Sequence, residues 1–359
     1  MKAQRGSVII VVLWTAVLLT VLVTAMAGKV RLSARTAFHN QEAAWQWASV
    51  MEAVNLAEME LMLERMPQQV GEIQEEDDQG QVRIAAYRFN GQPLQLYYPA
   101  PENMVVRIYD HAGKINLNRI PRRNMQILIE KRLGGLDADP EQVQDLLAAW
   151  TDWTDLNDLA SLNGAEREYY ESLDPPYSPR NNPELDTVEE ILHIRGFAEL
   201  FEGVDVDAAF TVFGNNRTVN LNLATREAMQ LLPGLDDELI ETILAVREIR
   251  DINTRAELAE IVPYENLVEL SNWVGNLTST YYSIFAYPRI ETAAPDESAD
   301  AGRPFDPVTR AFMEIIEVRS YNNLPRVYKI DPFGRLPDTA PPRIEEFGIE
   351  LPASLVGSY

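Results

Sequence analysis

SVIIVVLWTAVLLTVLVTAMA, residues 7–27, is a run of 21 residues with neither a charge nor a proline. About 20 apolar residues suffice to cross the hydrocarbon core of a bilayer as a helix. Three fates fit such a segment: a secretory signal that is removed, a retained membrane anchor, or a span trimmed only at its start. Ala25-Met26-Ala27 has the small-x-small form of a signal cleavage site, but the apolar core is longer than the roughly 7–15 residues of secretory signals. Lys2 and Arg5 precede the span and Lys29, Arg31 and Arg35 follow it, so flanking charge does not fix its orientation. Beyond it, RLSARTAFHNQEAAWQWASVMEAVNLAEMELMLERM, residues 31–66, has no Pro or Gly and is dense in Ala, Leu, Glu, Met and Gln, which predicts that the helix continues. At a rise of about 1.5 Å per residue, a helix from Ser7 to Met66 is roughly 90 Å long, with about its first third apolar enough for lipid.

The 359 residues exceed the roughly 150 of one domain, which predicts two folded units or one domain carrying a large insertion. There is no cysteine, so disulfides, zinc-thiolate fingers, iron–sulfur clusters and Cys nucleophiles are excluded together. The three histidines, His39, His111 and His193, are scattered, which leaves little material for a His-rich metal site or a Ser-His-Asp triad. Five of the 31 basic side chains and none of the 55 acidic ones fall in residues 1–41, so the remainder is strongly acidic. A body of that sign repels phosphate backbones. No Gly-rich phosphate loop, GxSxG elbow or HExxH occurs, and paired carboxylates among so many acids are no sign of catalysis. The reading is therefore of a non-enzyme.

After Pro67 the stretches QVRIAAYRFN, PLQLYYP and MVVRIYD have the β-branched and aromatic density of strands. From about Asp110 the chain reads helical, and an echo appears: Lys114-Ile115-Asn116-Leu117-Asn118 and Thr218-Val219-Asn220-Leu221-Asn222. Each is followed by a helical pattern and then by a Thr-x-x-Glu of capping-box form, at Thr187–Glu190 and at Thr254–Glu257. The first unit is the longer by some 37 residues, and extra length of that order usually serves a function. Within it lie Asp152-Trp153-Thr154-Asp155-Leu156-Asn157-Asp158 and Asn163-Gly164-Ala165-Glu166-Arg167-Glu168. Crowded oxygen donors on a loop suit a hard cation, although the spacing is not that of an EF-hand and a solvated acidic loop reads the same way. Trp150 and Trp153 flank this loop as core candidates. TSTYYSIFAY, then AFMEIIEVRSY and NNLPRVYKID turning near Asn322-Asn323, predict a strand and a hairpin that close the sheet. ETAAPDESADAGRPFDPV reads as a loop, and the Pro-rich tail from Pro332 as irregular.

Lys2-Ala3-Gln4-Arg5-Gly6 before Ser7, followed by the apolar run and a long helix, resembles the leader of type IV prepilins and type II secretion pseudopilins. The resemblance implies that a prepilin peptidase cuts between Gly6 and Ser7 and that Ser7 becomes a methylated N-terminus. Most of that family has Glu at the fifth mature residue; here it is Val11, as in the protein K family of type II secretion. KINLNRIPRRNMQILIEKRLG, residues 114–134, and AWTDWTDLNDLASLNGAEREYYESLDPPYSPRNNPELDTVEEILHIRGF, residues 149–197, resemble the helical domain of that family, with Asp-Trp-x-Asp, Gly-Ala-Glu and Pro-Pro-Tyr signatures. The fold implied is α+β: a pilin-like long N-terminal transmembrane helix on a small antiparallel sheet, with a large inserted all-α domain of helix-hairpin-helix-like (SAM-like) units. The division implied is leader 1–6, transmembrane segment 7–28, periplasmic helix 29–66, first β region 67–110, inserted α domain 111–270, second β region 271–331 and tail 332–359, with the acidic loop at 151–177 and a helix-hairpin-helix-like unit at 218–264.

The family resemblance implies calcium on Asp152, Asp155, Asp158 and Glu166. Arg167 stands where the family often has an acid, which removes support for a second ion. The function implied is that of a minor pseudopilin at the pseudopilus tip, acting in pseudopilus initiation and secretion across the outer membrane. The chain would be anchored once in the inner membrane of a Gram-negative bacterium with its C-terminal domain in the periplasm. Its expected partners are other minor pseudopilins, the prepilin peptidase, the inner membrane, and the secretin or exoprotein, with no nucleic acid. VNLNLATREAMQLLPGLDDELIETILAVREIR, residues 219–250, also resembles the helix-hairpin-helix of competence DNA receptors, which keeps a membrane-anchored DNA-binding protein as the alternative. Asp236, Asp237 and Glu238 stand where phosphate would lie and oppose it.

Overall fold

In the computed structural model the described residues are 5–66, 87–179, 182–289 and 310–338. The chain divides into two compact units, Met1–Glu52 and Ala53–Tyr359. One helix, α1 (Arg5–Glu64), supplies the described part of the first unit and enters the second. It is long and apolar enough to cross a membrane by length and composition. The Thr15, Thr20 and Thr24 hydroxyls donate to the carbonyls of Val12, Ala16 and Thr20 at 2.8–2.9 Å, so these polar groups are satisfied inside the helix, as lipid requires.

The second unit is built from the last turns of α1, then β1 (Asn90–Pro93), β2 (Met104–Asp110), β3 (Ile115–Asn116), α2 (Arg122–Arg132), α3 (Pro140–Trp153), α4 (Arg167–Glu171), α5 (Phe197–Leu200), α6 (Val206–Ala209), β4 (Phe210–Thr211), α7 (Arg226–Leu231), α8 (Asp237–Ile249), α9 (Arg255–Ile261), α10 (Tyr264–Leu270), β5 (Tyr281–Pro288), β6 (Arg310–Glu317) and β7 (Arg326–Arg335). The main sheet runs β1-β2-β5-β6-β7, antiparallel throughout. Alternation puts Val106, Ile108, Ile284 and Ile316 on one face and Tyr109, Phe285 and Met313 on the other, all buried. Ala53, Ala57 and Leu61, four residues apart, form the buried stripe at the end of α1, and the two alanines, with no accessible surface, let the helix axis come close to its neighbours. Arg65, just past that helix, donates to the Tyr282 hydroxyl at 2.6 Å and to the Ser279 carbonyl at 2.5 Å, which ties it to β5. Burial and the nearby Glu314 of β6 push the Glu58 carboxyl up to about 7.

Everything between β2 and β5 is inserted between two adjacent antiparallel strands, whose register begins at Asp110↔Tyr282. The Asp110 carboxylate accepts from Ala112 N (2.8 Å) on the outgoing stem and Ser279 N (3.0 and 3.1 Å) on the returning one, and so pins the two stems together. The inserted helices share one core that includes Met125, Leu128, Trp150, Trp153, Phe197, Phe210, Ile243 and Trp273. Both expected core tryptophans are therefore in it.

The echoed Asn-x-Asn segments fold alike. In the first, Asn118 N donates to Asn116 Oδ1 (3.0 Å), Asn118 Nδ2 donates to Leu185 O (3.0 Å), and Leu185 N donates to Asn118 Oδ1 (2.7 Å). In the second, Asn222 N donates to Asn220 Oδ1 (3.1 Å), Asn222 Nδ2 to Ile252 O (3.0 Å), and Ile252 N to Asn222 Oδ1 (2.8 Å). Each unit also has a parallel pairing, Ile115 with Phe210 and Val219 with Val274.

The structure departs from the sequence reading in three places. PLQLYYP is not a strand beyond Pro93; Pro99 and Pro101 nearby lack the N–H a ladder needs. The Pro332 tail is not irregular from its start, because β7 continues through Pro332 and Gly334 to Arg335 on the sheet's edge, where a missing N–H is tolerated. Thr254 and Glu257 form the expected capping box, but Thr187 caps nothing with its side chain. The Glu190 carboxylate is instead taken by Trp153 Nε1 (3.1 Å) and Asp186 N (3.0 Å), and a 3-10 turn follows over Val188–His193. QVRI and residues 339–359 lie outside the described residues.

Candidate metal centre

The acidic loop leaves the C-terminal end of α3 and returns at the start of α4. Asp152 sits in the last turn of α3, fully buried beside Trp153, because that turn carries the apolar face of the helix into the core. Both of its carboxylate oxygens accept from Ser161 N, at 3.2 and 3.0 Å, which folds the loop back over the helix end. Asp155 accepts from Asn157 N (2.9 Å) and Asn157 Nδ2 (2.7 Å). Glu166, at the N-terminus of α4, is buried, and neither of its carboxylate oxygens has a hydrogen-bond partner.

Asp152, Asp155 and Glu166 each bring one carboxylate oxygen within 4.8 Å of the others. Asp158 is not in this group; its carboxylate pairs with Arg167 Nε at 3.3 Å. Burial first, then Asp152, Asp155 and Asp158, push the Glu166 carboxyl up to about 7. Three carboxylates this close repel one another when ionised, and a buried carboxylate left without partners is unfavourable. A dication bound to all three removes both penalties. The donor set is oxygen alone, with neither His nor Cys, which fits a hard cation such as calcium rather than zinc. The residues present therefore fit the group that the family resemblance implied, with three of the four named carboxylates brought together.

Two further residues shape the loop. A Cβ on Gly164 would lie 1.8 Å from Asp152 Oδ2, so only glycine admits the buried carboxylate there. Arg195, from the turn before α5, donates to the carbonyls of Asn163 and Gly164 (2.9 Å to the latter) and sits over the Tyr169 ring at 5.4 Å. Gly164 was visible as the loop's glycine. Arg195 lies about thirty residues away, and nothing local in the sequence marks it.

The second helical unit has a different surface chemistry. The Pro233–Gly234 turn joins α7 to α8, and Lys131 Nζ donates to the Leu232 and Leu235 carbonyls (2.9 Å to the latter) while Asn266 Nδ2 donates to Gly234 O (2.8 Å). A Cβ on Gly234 would meet Asn266 O at 2.7 Å. The turn is packed against the rest of the domain, and Asp236 caps α8 by accepting from Leu239 N (2.9 Å).

A long apolar N-terminal helix, a small antiparallel sheet and a helical domain inserted between adjacent strands make a pilin-like α+β fold. Residues 113–201 match the family model described as "Type II secretion system (T2SS), protein K". A chain in the crystal structure of the GspK-GspI-GspJ complex from the enterotoxigenic Escherichia coli Type 2 Secretion System is similar at 14% identity and a TM-score of 0.49. The likeness covers 84% of this chain and 99% of that one. No curated protein matches the sequence.

Proposed function

We propose that this protein is the minor pseudopilin at the tip of a type II secretion pseudopilus, acting in its initiation and in protein secretion across the outer membrane. The observation that carries the reading is the placement of the protein K segment: residues 113–201 fall wholly inside the insertion between β2 and β5, on a chain that begins with a membrane-length helix. In this reading a prepilin peptidase cuts between Gly6 and Ser7, and residues 7–28 hold the subunit once in the inner membrane of a Gram-negative bacterium, with the remainder in the periplasm. The helix then leaves the bilayer by packing against those of other minor pseudopilins. Val11 suits the first position of a filament, where no subunit ahead offers an ammonium to neutralise. The wide inserted domain sterically blocks addition above it.

Asp152, Asp155 and Glu166 would hold calcium, whose role is to tie the end of α3 to the start of α4 across the loop. This chemistry is structural, and the protein is proposed to act as a scaffold. Gly6→Phe tests the reading: the precursor should stay uncut, and secretion should fail in cells that depend on the variant. Normal processing or normal secretion would overturn it. In the competing DNA-receptor reading the Pro233–Gly234 turn would have to face phosphate, yet its carbonyls are bound by Lys131 and Asn266 and acids follow it. A plain membrane-anchored calcium-binding protein would need no cut at Gly6.

A further inference from the structure

Leu156, Leu159 and Leu162 lie between the metal-site carboxylates, spaced three apart, and are 76%, 78% and 91% exposed. The loop that carries them is held. Leu159 N donates to Asn157 Oδ1 (2.8 Å), Ser161 N to Asp152, and Arg195 grips the Asn163 and Gly164 carbonyls. Trp153, Ala165 and Tyr170 of the same segment are buried in the core, while the three leucines stand outside it. A single exposed leucine is ordinary, whereas three within seven residues of one held loop are an unusual amount of uncovered apolar side chain.

We propose that the row Leu156, Leu159 and Leu162 is a docking surface for a protein whose contact face is an apolar cleft rimmed by basic side chains. The proposal rests on the calcium reading insofar as the ion fixes the loop that displays the row. Charge selects the occupant. Asp155 and Asp158 interleave with the leucines, and the exposed Glu168 and Glu171 lie on the adjoining α4. Arg167 and Arg195 supply two positive charges and the dication two more, against the carboxylates of Asp152, Asp155, Asp158, Glu166, Glu168 and Glu171, so the surroundings stay acidic. Such a surface repels anionic lipid headgroups, and between its leucines it has neither the aromatic nor the basic anchors of interfacial segments. It also repels a second copy of itself, since like charges would meet across the contact. A basic-rimmed apolar cleft satisfies both the leucines and the carboxylates.

The test uses the full chain in detergent with saturating calcium. The probe is a synthetic amphipathic helical peptide of leucine and lysine, with its leucine–glutamate counterpart as control. L156S, L159S and L162S are introduced together, a change that leaves every charge in place and touches only exposed side chains. The wild-type chain should bind the leucine–lysine peptide about tenfold more tightly than the triple variant and should not bind the leucine–glutamate peptide, with thermal unfolding the same for both chains. Equal affinity of the two chains, leucine-dependent binding to phosphatidylglycerol vesicles instead, or a dimer lost in the triple variant would each overturn the proposal. Direct calcium titration separates the two readings. Calcium uptake by the triple variant with no leucine effect sinks the docking surface alone, whereas absent calcium uptake with the leucine effect intact sinks the metal reading and leaves the surface standing without it.

Discussion

The two helical units close in the same way and differ in what the closure spans. Asn118 reaches across 67 residues to clamp Leu185, and Asn222 reaches across 30 to clamp Ile252, each with the same two-way amide bond two residues before a threonine. The clamp is therefore indifferent to loop length, as expected when closure entropy grows only with the logarithm of the loop. Once the ends are fixed, the longer unit can carry a functional insertion without disturbing its frame. The acidic loop, the three converging carboxylates and the exposed leucines all lie in that extra length.

The clamps give the sharpest way to break this comparison. Asn222 is 1% exposed, so N222A strips partners from the Ile252 N–H and C=O in a dry site and should destabilise the chain by about 3 kcal/mol in denaturant unfolding. An effect below 1 kcal/mol would mean that the clamp is incidental. Calcium comes next and should act on the first unit only. At a hundredfold excess over its dissociation constant the ion should add about 2.7 kcal/mol, and D155A with E166A should abolish that gain while leaving the chelated protein no less stable. Equal destabilisation with chelator would refute the metal centre. N118A should cost less than N222A, about 1.5 kcal/mol, because Asn118 is half-buried and water can replace part of the bond.

The remaining prediction concerns pH. Lys114 and Thr218 hold matching places before the two Asn-x-Asn segments, and Lys114 is buried, with Nζ donating to Asp207 O (2.7 Å). Burial lowers its ammonium to about 8. Between about 8 and 10.5 the unfolded chain then binds more protons than the folded one, so stability should rise with pH across that window. K114M should reduce this slope, measured as the unfolding midpoint against pH, without abolishing it, because burial lowers the Lys131 ammonium to about 8 as well, and T218V should leave it intact.

How much of this was legible follows the range of the interactions. The apolar span, the long helix, β2 and the β6–β7 hairpin are local patterns, and the residues state them directly. The Asn-x-Asn echo was readable because its function repeats within five residues. The Thr187 cap failed because a tryptophan 34 residues earlier competes for Glu190, which no local rule registers. Asp158 was named with the other carboxylates on the family resemblance, yet the guanidinium of Arg167 draws it to a separate pair. Arg195 and the unpartnered oxygens of Glu166 exist only in three dimensions, since burial and convergence are not written in any short stretch.

The account stands on the chain being a processed pseudopilin, and the most direct test is the intact mass and N-terminal residue of the protein purified from its own membranes. The account predicts a chain that begins at N-methylated Ser7. A chain that begins after Ala27, or one that still starts at Met1, would contradict it.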